Sequence, residues 1–284
     1  MTATLPARTE PRTARGRSSL RLSRRSAVVI ALVSLVGLVA FVWPLVVAPE
    51  SGLAHSTDGP WLFVALVPLL LLVMVAEIAD GGIDAKAVAM LGVLAAVGAG
   101  LRVLGAGMAP LEPLFFLLIV AGRAFGPAFG FVFGSLTLVA GALLTGGVGP
   151  WLPFQMLGAA WVALGAGLLP RVRPRAERWL LAAYGVIASL MYGVLLDLWF
   201  WPFLATAAGG TDLAYEAGAP LAENISRFMV FHLLTGLGWD IPRAALTGVL
   251  CLLAGPAVLT GLRRAARRAA FTESATFTGP GRTP

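Results

Sequence analysis

The residues of this chain that could do chemistry are few, and most are charges or amides set in apolar surroundings. Asp197 and Arg102 fall inside hydrophobic segments, where an ionised side chain costs roughly 2.5–3.5 kcal/mol and is usually paired or functional. Glu112 opens a short apolar stretch, and Trp151 and Gln155 begin the segment after Gly149-Pro150. Trp199 and Trp201 end the segment that carries Asp197, with Asn224, Arg227 and Trp239 beyond it. Carboxylate, guanidinium and amide groups beside indole faces suit recognition of a small polar ring, although Trp is also the ordinary residue of a membrane interface. Arg102, Glu112, Trp151, Gln155, Asp197, Trp199, Trp201, Asn224 and Trp239 are therefore the candidate substrate-binding residues. Asp240 precedes Ile241-Pro242 as an N-cap precedes a helix, which predicts a structural role for it.

Other chemistries lack their parts. Cys251 is the single cysteine and His55 and His232 are the only histidines, so disulfides, structural zinc and iron–sulfur centres are not expected, and no cofactor is called for. A phosphate-binding loop needs a lysine followed by Ser or Thr, but the one lysine, Lys86, precedes Ala87. Uphill transport would draw its energy from a partner or an ion gradient. Ser135 and His232 could form a membrane serine nucleophile and base, yet no G-x-S-x-G elbow surrounds Ser135. His232 reads instead as a hydrogen-bonded packing residue, and Glu77, Asp80 and Asp84 as solvated or capping acids at a cytoplasmic helix end. The chain is not expected to be an enzyme.

The elements that position these residues must be membrane helices. Of 284 residues 58% are hydrophobic and only 12% charged, with a mean hydropathy of +0.86, about half the charge of a soluble domain. A span needs about 20 apolar residues, and 26–48, 61–79, 85–104, 151–169, 179–201 and 240–262 qualify. The run 113–146 is broken by Arg123 and Gly126-Pro127 and is divided into two helices meeting near Arg123. Residues 220–236 are expected not to span. The total is eight transmembrane helices with both termini cytoplasmic in the cell membrane. The inside segments then hold the seven arginines of a disordered tail over 1–25, Lys86, Arg123, the cluster Arg171, Arg173, Arg175 and Arg178, and Arg263, Arg264, Arg267 and Arg268. The outside loops 49–60, 105–112, 146–150 and 202–226 hold no Lys or Arg. Merging 113–146 or promoting 220–236 would put the four-arginine cluster outside, against the positive-inside rule. The arginines thus read as topology signals rather than a nucleic-acid surface.

The helix over 111–122 would be only about 18 Å long against a core of about 30 Å. Short helices at membrane depth occur where protein shields them or where they line a cavity, which favours a solute-binding protein. In the third span Ala85, Ala89, Gly92, Ala96 and Ala99 recur at intervals of four and three, a ridge that lets another helix approach closely. Gly122, Gly126, Gly130 and Gly134 repeat every four residues and predict tight packing of a helical hairpin.

From Ala85 onward the chain resembles the substrate-binding S component of energy-coupling factor (ECF) vitamin transporters. The resemblance rests on Ala85-Lys86-Ala87-Val88-Ala89 through Gly100-Leu101-Arg102, on Pro113-Leu114-Phe115-Phe116 with Ala121-Gly122-Arg123-Ala124-Phe125-Gly126-Pro127, and on Asp240-Ile241-Pro242-Arg243-Ala244 through Leu262-Arg263-Arg264. It implies an all-α six-helix core over about 80–264; the two helices read over 26–79 depart from the family's minimal pattern, and 265–284 is expected to be a cytoplasmic tail. It also implies capture of a vitamin or related micronutrient from outside, and partnership with a transmembrane T component and two cytoplasmic ATPases. Ala85 and Ala89 match the family's T-component contact, and Gly92 and Ala96 extend that face. The alternative is a stand-alone secondary permease in which Asp197 and Arg102 serve a coupling ion or counter-charge. The acidic outer loops disfavour a polyanion and lean toward a neutral or cationic ring-bearing vitamin of thiamine or cobalamin kind.

Overall fold

The computed structural model describes residues 24–46, 85–105, 111–207 and 213–270. Most of the N-terminal tail, the expected span 61–79, the acids Glu77, Asp80 and Asp84, and the C-terminal residues from 271 lie outside the described residues, as do the side chains of Ala85 and Lys86. All regular elements among the described residues are helical: α1 (Arg24–Phe41), α2 (Trp43–Val46), α3 (Ala85–Gly105), α4 (Leu114–Phe125), α5 (Pro127–Thr145), α6 (Leu152–Leu168), α7 (Pro174–Ala207), α8 (Leu221–Phe231), α9 (Leu237–Leu253) and α10 (Gly255–Ala270), with a wide π turn at His232–Gly236 between α8 and α9.

The interrupted run 113–146 is a hairpin. Gly126 sits between α4 and α5 at φ 99°, a left-handed conformation that a side chain would strain, and Pro127 follows at a first-turn position where its missing N–H costs nothing. Gly122 and Gly130 lie on opposite sides of this turn, yet a Cβ on either would land on the Ala163 carbonyl of α6. Both arms therefore lean on the same turn of α6. Without a hydrophobic drive between helices in lipid, this backbone-to-backbone approach supplies the association. The 12 residues of α4 are too short to cross a bilayer alone, but α3, α5, α6, α7, α9 and α10 all pack around it. Nine of its residues are buried, from Leu114 to Phe125, so protein rather than lipid surrounds it.

Three described helices, Arg24–Phe41, Pro127–Thr145 and Pro174–Leu204, are long and apolar enough to span a membrane, and the regions Ala87–Val103, Leu114–Phe125 and Leu152–Leu168 are shorter apolar helices. The chain is thus a membrane-embedded protein that is all-helical among the described residues. Its last segment differs from the sequence expectation. Residues 221–253 form one helical run through the π turn, and the chain then bends by 68° into the helix that starts at Gly255. The helix expected over 240–262 is therefore divided at Gly255-Pro256, where proline cannot continue the hydrogen-bond ladder. Asp240 is correspondingly not an N-cap: it lies inside α9, 3% exposed.

One end of the bundle is closed by arginine. Arg123 donates to Glu177 Oε1 at 2.8 Å and to the Leu169 and Pro170 carbonyls at 2.6 and 2.9 Å. Arg263 forks onto both oxygens of Glu177 at 2.9 and 2.6 Å. One buried carboxylate thus ties α4, α7 and α10. On the bundle's flank α1 exposes Val28, Leu32, Leu35 and Val39 while Phe41 is buried against Phe154 and Trp161. Trp161 Nε1 donates to Ser34 Oγ at 2.9 Å and Trp43 Nε1 to the Trp199 carbonyl at 3.1 Å. The first N-terminal helix is therefore integrated into the core through α6 and α7.

Candidate functional site

At the end opposite the Arg123–Glu177–Arg263 cluster, a run of polar side chains passes through the interior. His232 Nδ1 donates to Asp197 Oδ2 at 2.7 Å, and His232 Nε2 lies 3.8 Å from Asp240 Oδ2. Asp240 Oδ1 accepts from Arg243 Nη2 in a close ion pair, and the same nitrogen donates to the Ser189 carbonyl at 3.0 Å. The Arg243 guanidinium lies 5.1 Å from the centres of both the Phe115 and Tyr192 rings, and its Nη1 is 3.8 Å from Glu112 Oε2. Asp240 and Arg243 are both nearly inaccessible, so each supplies the counter-charge without which the other could not be buried.

The local helix geometry explains this convergence. On an uninterrupted α-helix His232 and Asp240, eight residues apart, would point about 80° apart around the axis. The π turn absorbs one extra residue, which brings them to within about 20° of each other and places both against α7. There α7 gives way at Gly193, where a Cβ would overlap the Asp240 carboxylate, and the π turn gives way at its own Gly236, where a Cβ would overlap Asp197 Oδ2 and His232 Nδ1. Asp197, His232 and Asp240 each offer a ligand atom within 4.8 Å of the others, a spacing compatible with a shared proton or a cation.

Beside Arg243 opens a small cavity of about 40 Å³, walled by Arg102, Glu112, Leu114, Phe115, Leu118, Leu138, Gln155, Ala159 and Tyr192. Arg102 Nη2 donates to Gln155 Oε1 at 2.7 Å, linking α3 to α6, and the Arg102 stem lies against Gly141 of α5. Tyr192 packs edge-on against Phe115, ring centres 4.8 Å apart. The cavity is apolar on one side and carries two guanidinium groups, a carboxylate and an amide on or next to the other.

Of the residues singled out from sequence, the structure gathers Arg102, Glu112 and Gln155 around this cavity. Asp197 is held behind it by His232. The remaining five lie elsewhere. Trp199 is fully buried and stacked on Phe154 at 4.1 Å and 4°, a packing position. Trp201, also fully buried, donates to the Leu213 carbonyl at 2.8 Å. Asn224 holds the backbone of Glu216 through both its amide atoms, so both residues fix the segment before α8 rather than face the cavity. Trp151 is 39% exposed and donates to the Gly147 carbonyl, and Trp239 is 60% exposed. Sequence reasoning missed Tyr192 and Phe115 as wall residues and Arg243 against their rings, and misread Asp240. Arg243 carried a signal, a lone arginine in an apolar segment three residues after an acid, the i,i+3 spacing of a helical ion pair.

On the small-residue ridge, Ala89, Gly92 and Ala96 are exposed, and a Cβ on Gly92 would meet nothing within 4 Å. Ala99 departs from the ridge and is fully buried. Beside Ala89 runs an apolar groove of about 300 Å³, walled by Met90, Val93, Leu94, Phe125, Leu262 and Ala265.

The sequence model of the ECF transporter substrate-specific component matches residues 86–260. Neither the curated proteins nor the solved structures compared with the chain contain a significant match. The matched region contains the cavity, the hairpin and the buried ion pair, and the chain belongs to the family of substrate-specific components of ECF transporters. Membership carries a transport role and, in general, association with an ECF T component and ATPases.

Proposed function

We propose that this chain is the S subunit of an ECF-type importer that captures a vitamin or related micronutrient in the cavity between Arg102, Glu112, Gln155 and Tyr192. The observation that carries this reading is the family match over residues 86–260, within which Arg102, Glu112 and Gln155 converge on a small cavity at the end of the bundle away from the arginine cluster. By the positive-inside rule the cavity end faces outward and both termini lie in the cytoplasm of a cell-membrane protein with eight spans. Residues 80–264 form the binding core, 26–79 two added helices, and 1–25 and 265–284 cytoplasmic tails. The T component docks on the ridge Ala85, Ala89, Gly92 and Ala96, where small residues, exposed at Ala89, Gly92 and Ala96, permit close approach and release, and two ATPases drive the cycle. The chain itself performs no catalysis.

The test is purification of the tagged full chain in mild detergent, with mass spectrometry of co-purifying proteins and of small molecules released on denaturation. A T component with two ATPases is the expected result; a chain recovered alone and empty would sink the reading. The buried Asp197–His232–Asp240 series favours a second reading, a secondary permease that moves an ion through those groups. Uptake that survives deletion of the ATPases but collapses with an uncoupler would select it.

A further inference from the structure

We propose that the arginine-closed end of the bundle binds anionic phospholipid, whose phosphates are taken by Arg171, Arg173, Arg175 and Arg178 around the start of α7 and by Arg264 and Arg267 on α10. All six side chains are exposed, and none has a carboxylate within ion-pair distance among the described residues. Glu177, the described acid of this end, is occupied by Arg123 and Arg263. The other described carboxylates pair with Arg227, His232 or Arg243. The same anchor gathers the six arginines. Arg123 binds the Leu169 and Pro170 carbonyls immediately before Arg171, and Arg263 brings the turn that carries Arg264 and Arg267 to Glu177 of α7. Six like charges are thereby held on one end without a local counter-charge, which concentrates anions there.

The place of these charges selects a lipid as the anion. The span of α7 begins at Pro174, so Arg175 and Arg178 stand at its entry into the bilayer. Trp179 is 58% exposed, and the Arg178 guanidinium lies 5.4 Å from its ring centre. An exposed indole in the first turns of a span marks headgroup level, and the arginine stacked on it is held at that depth. From Arg175 an exposed lane runs along α7 at intervals of four, through Trp179 and Ala183 to Ile187 and Met191. From Trp179 to Met191 it is about 18 Å long, slightly more than half of an apolar core of about 30 Å. A cationic head above an apolar lane one leaflet deep matches an amphiphile and not a free anion. On α10, Leu259 is buried and Leu262 and Ala266 pack against the core, which leaves Arg264 and Arg267 outward. The axis of α10 turns 68° from the helical run before it, and arginines on the polar side of such a helix meet the phosphates of the leaflet. Guanidinium groups take phosphate oxygens in a bidentate fork.

The experiment is native mass spectrometry of the full chain released from nanodiscs of dioleoylphosphatidylglycerol and dioleoylphosphatidylcholine in equal parts, followed by titration of each lipid into the detergent-purified protein. The expected result is retention of the anionic lipid with an affinity at least about tenfold above that of the zwitterionic one, and weakening by salt. Arg175→Gln with Arg178→Gln lowers affinity for the anionic lipid about tenfold or more, at roughly fivefold per arginine, and Arg264→Gln with Arg267→Gln lowers it similarly. Arg8→Gln with Arg12→Gln, an equal change of net charge outside the described residues, leaves it nearly unchanged. The four arginines replaced at the surface are exposed, so melting temperatures in detergent stay level and the losses report binding. Equal retention of the two lipids, an equal loss in the Arg8 and Arg12 variant, or displacement of the lipid by glycerophosphoglycerol, its headgroup without chains, would overturn the assignment. Surface variants that keep the anionic lipid but no longer co-purify with a T component or ATPases would overturn it in favour of a protein partner.

Discussion

Replacing Asp240 by Asn removes one charge from the most enclosed ion pair of the molecule while keeping side-chain volume. The Asp240 and Arg243 side chains are 4% and 7% exposed, so water cannot take over the guanidinium. Arg243 keeps the Ser189 carbonyl and the two ring faces, but its nearest remaining carboxylate is Glu112 at 3.8 Å, which is 44% exposed and correspondingly screened. Removing one partner of such a pair costs about 3–5 kcal/mol, whereas removing both charges together is often close to neutral. Asp240→Asn is therefore expected to destabilise the protein by about 3 kcal/mol or more, and Asp240→Asn with Arg243→Met by clearly less than the sum of the two single changes. The assay is reversible SDS titration of the four proteins in mixed micelles, completing the double-mutant cycle. A single-variant cost below about 1 kcal/mol, or additivity of the two changes, would refute the view that this pair is mutually dependent.

Other outcomes follow from packing and from the arginine-closed end. Gly130→Leu forces a side chain onto the Ala163 carbonyl and should lower stability by about 1–3 kcal/mol or more, whereas Gly92→Ala, with open space around its Cβ, should be neutral or stabilising by up to about 1 kcal/mol; thermal unfolding in detergent reads both. Glu177→Ala strands Arg123, whose side chain is 6% exposed, and should cost more than Arg263→Ala, where the arginine lost is 37% exposed. Equal melting temperatures for those two variants would contradict the assigned role of Glu177 as the shared anchor.

What sequence could establish here follows from one-dimensional physics. Hydropathy and length mark apolar helices, and Gly126-Pro127 marks a break because backbone freedom and a missing N–H are local properties. The four-residue glycine repeat likewise announces a close helix contact before the partner is known. The resemblance carried by the helix around Ala89, by Pro113 to Pro127 and by the helix around Asp240 led to the family whose sequence model matches 86–260.

Tertiary structure decided what each face meets. Trp199 and Trp201 read as binding aromatics because their position near a helix end fits that role, but the rotation of α7 turns them into the core. Asp240 read as a cap because Pro242 follows it. Only the π turn at His232–Gly236, which advances the downstream register by one residue, reveals it as the inward partner of Arg243 and a neighbour of His232. Arg102 and Gln155 are 53 residues apart, and Arg243 meets Phe115 and Tyr192 from two other helices. Helical periodicity states that a helix has a face; the direction of that face is set by the packing of every other helix against it.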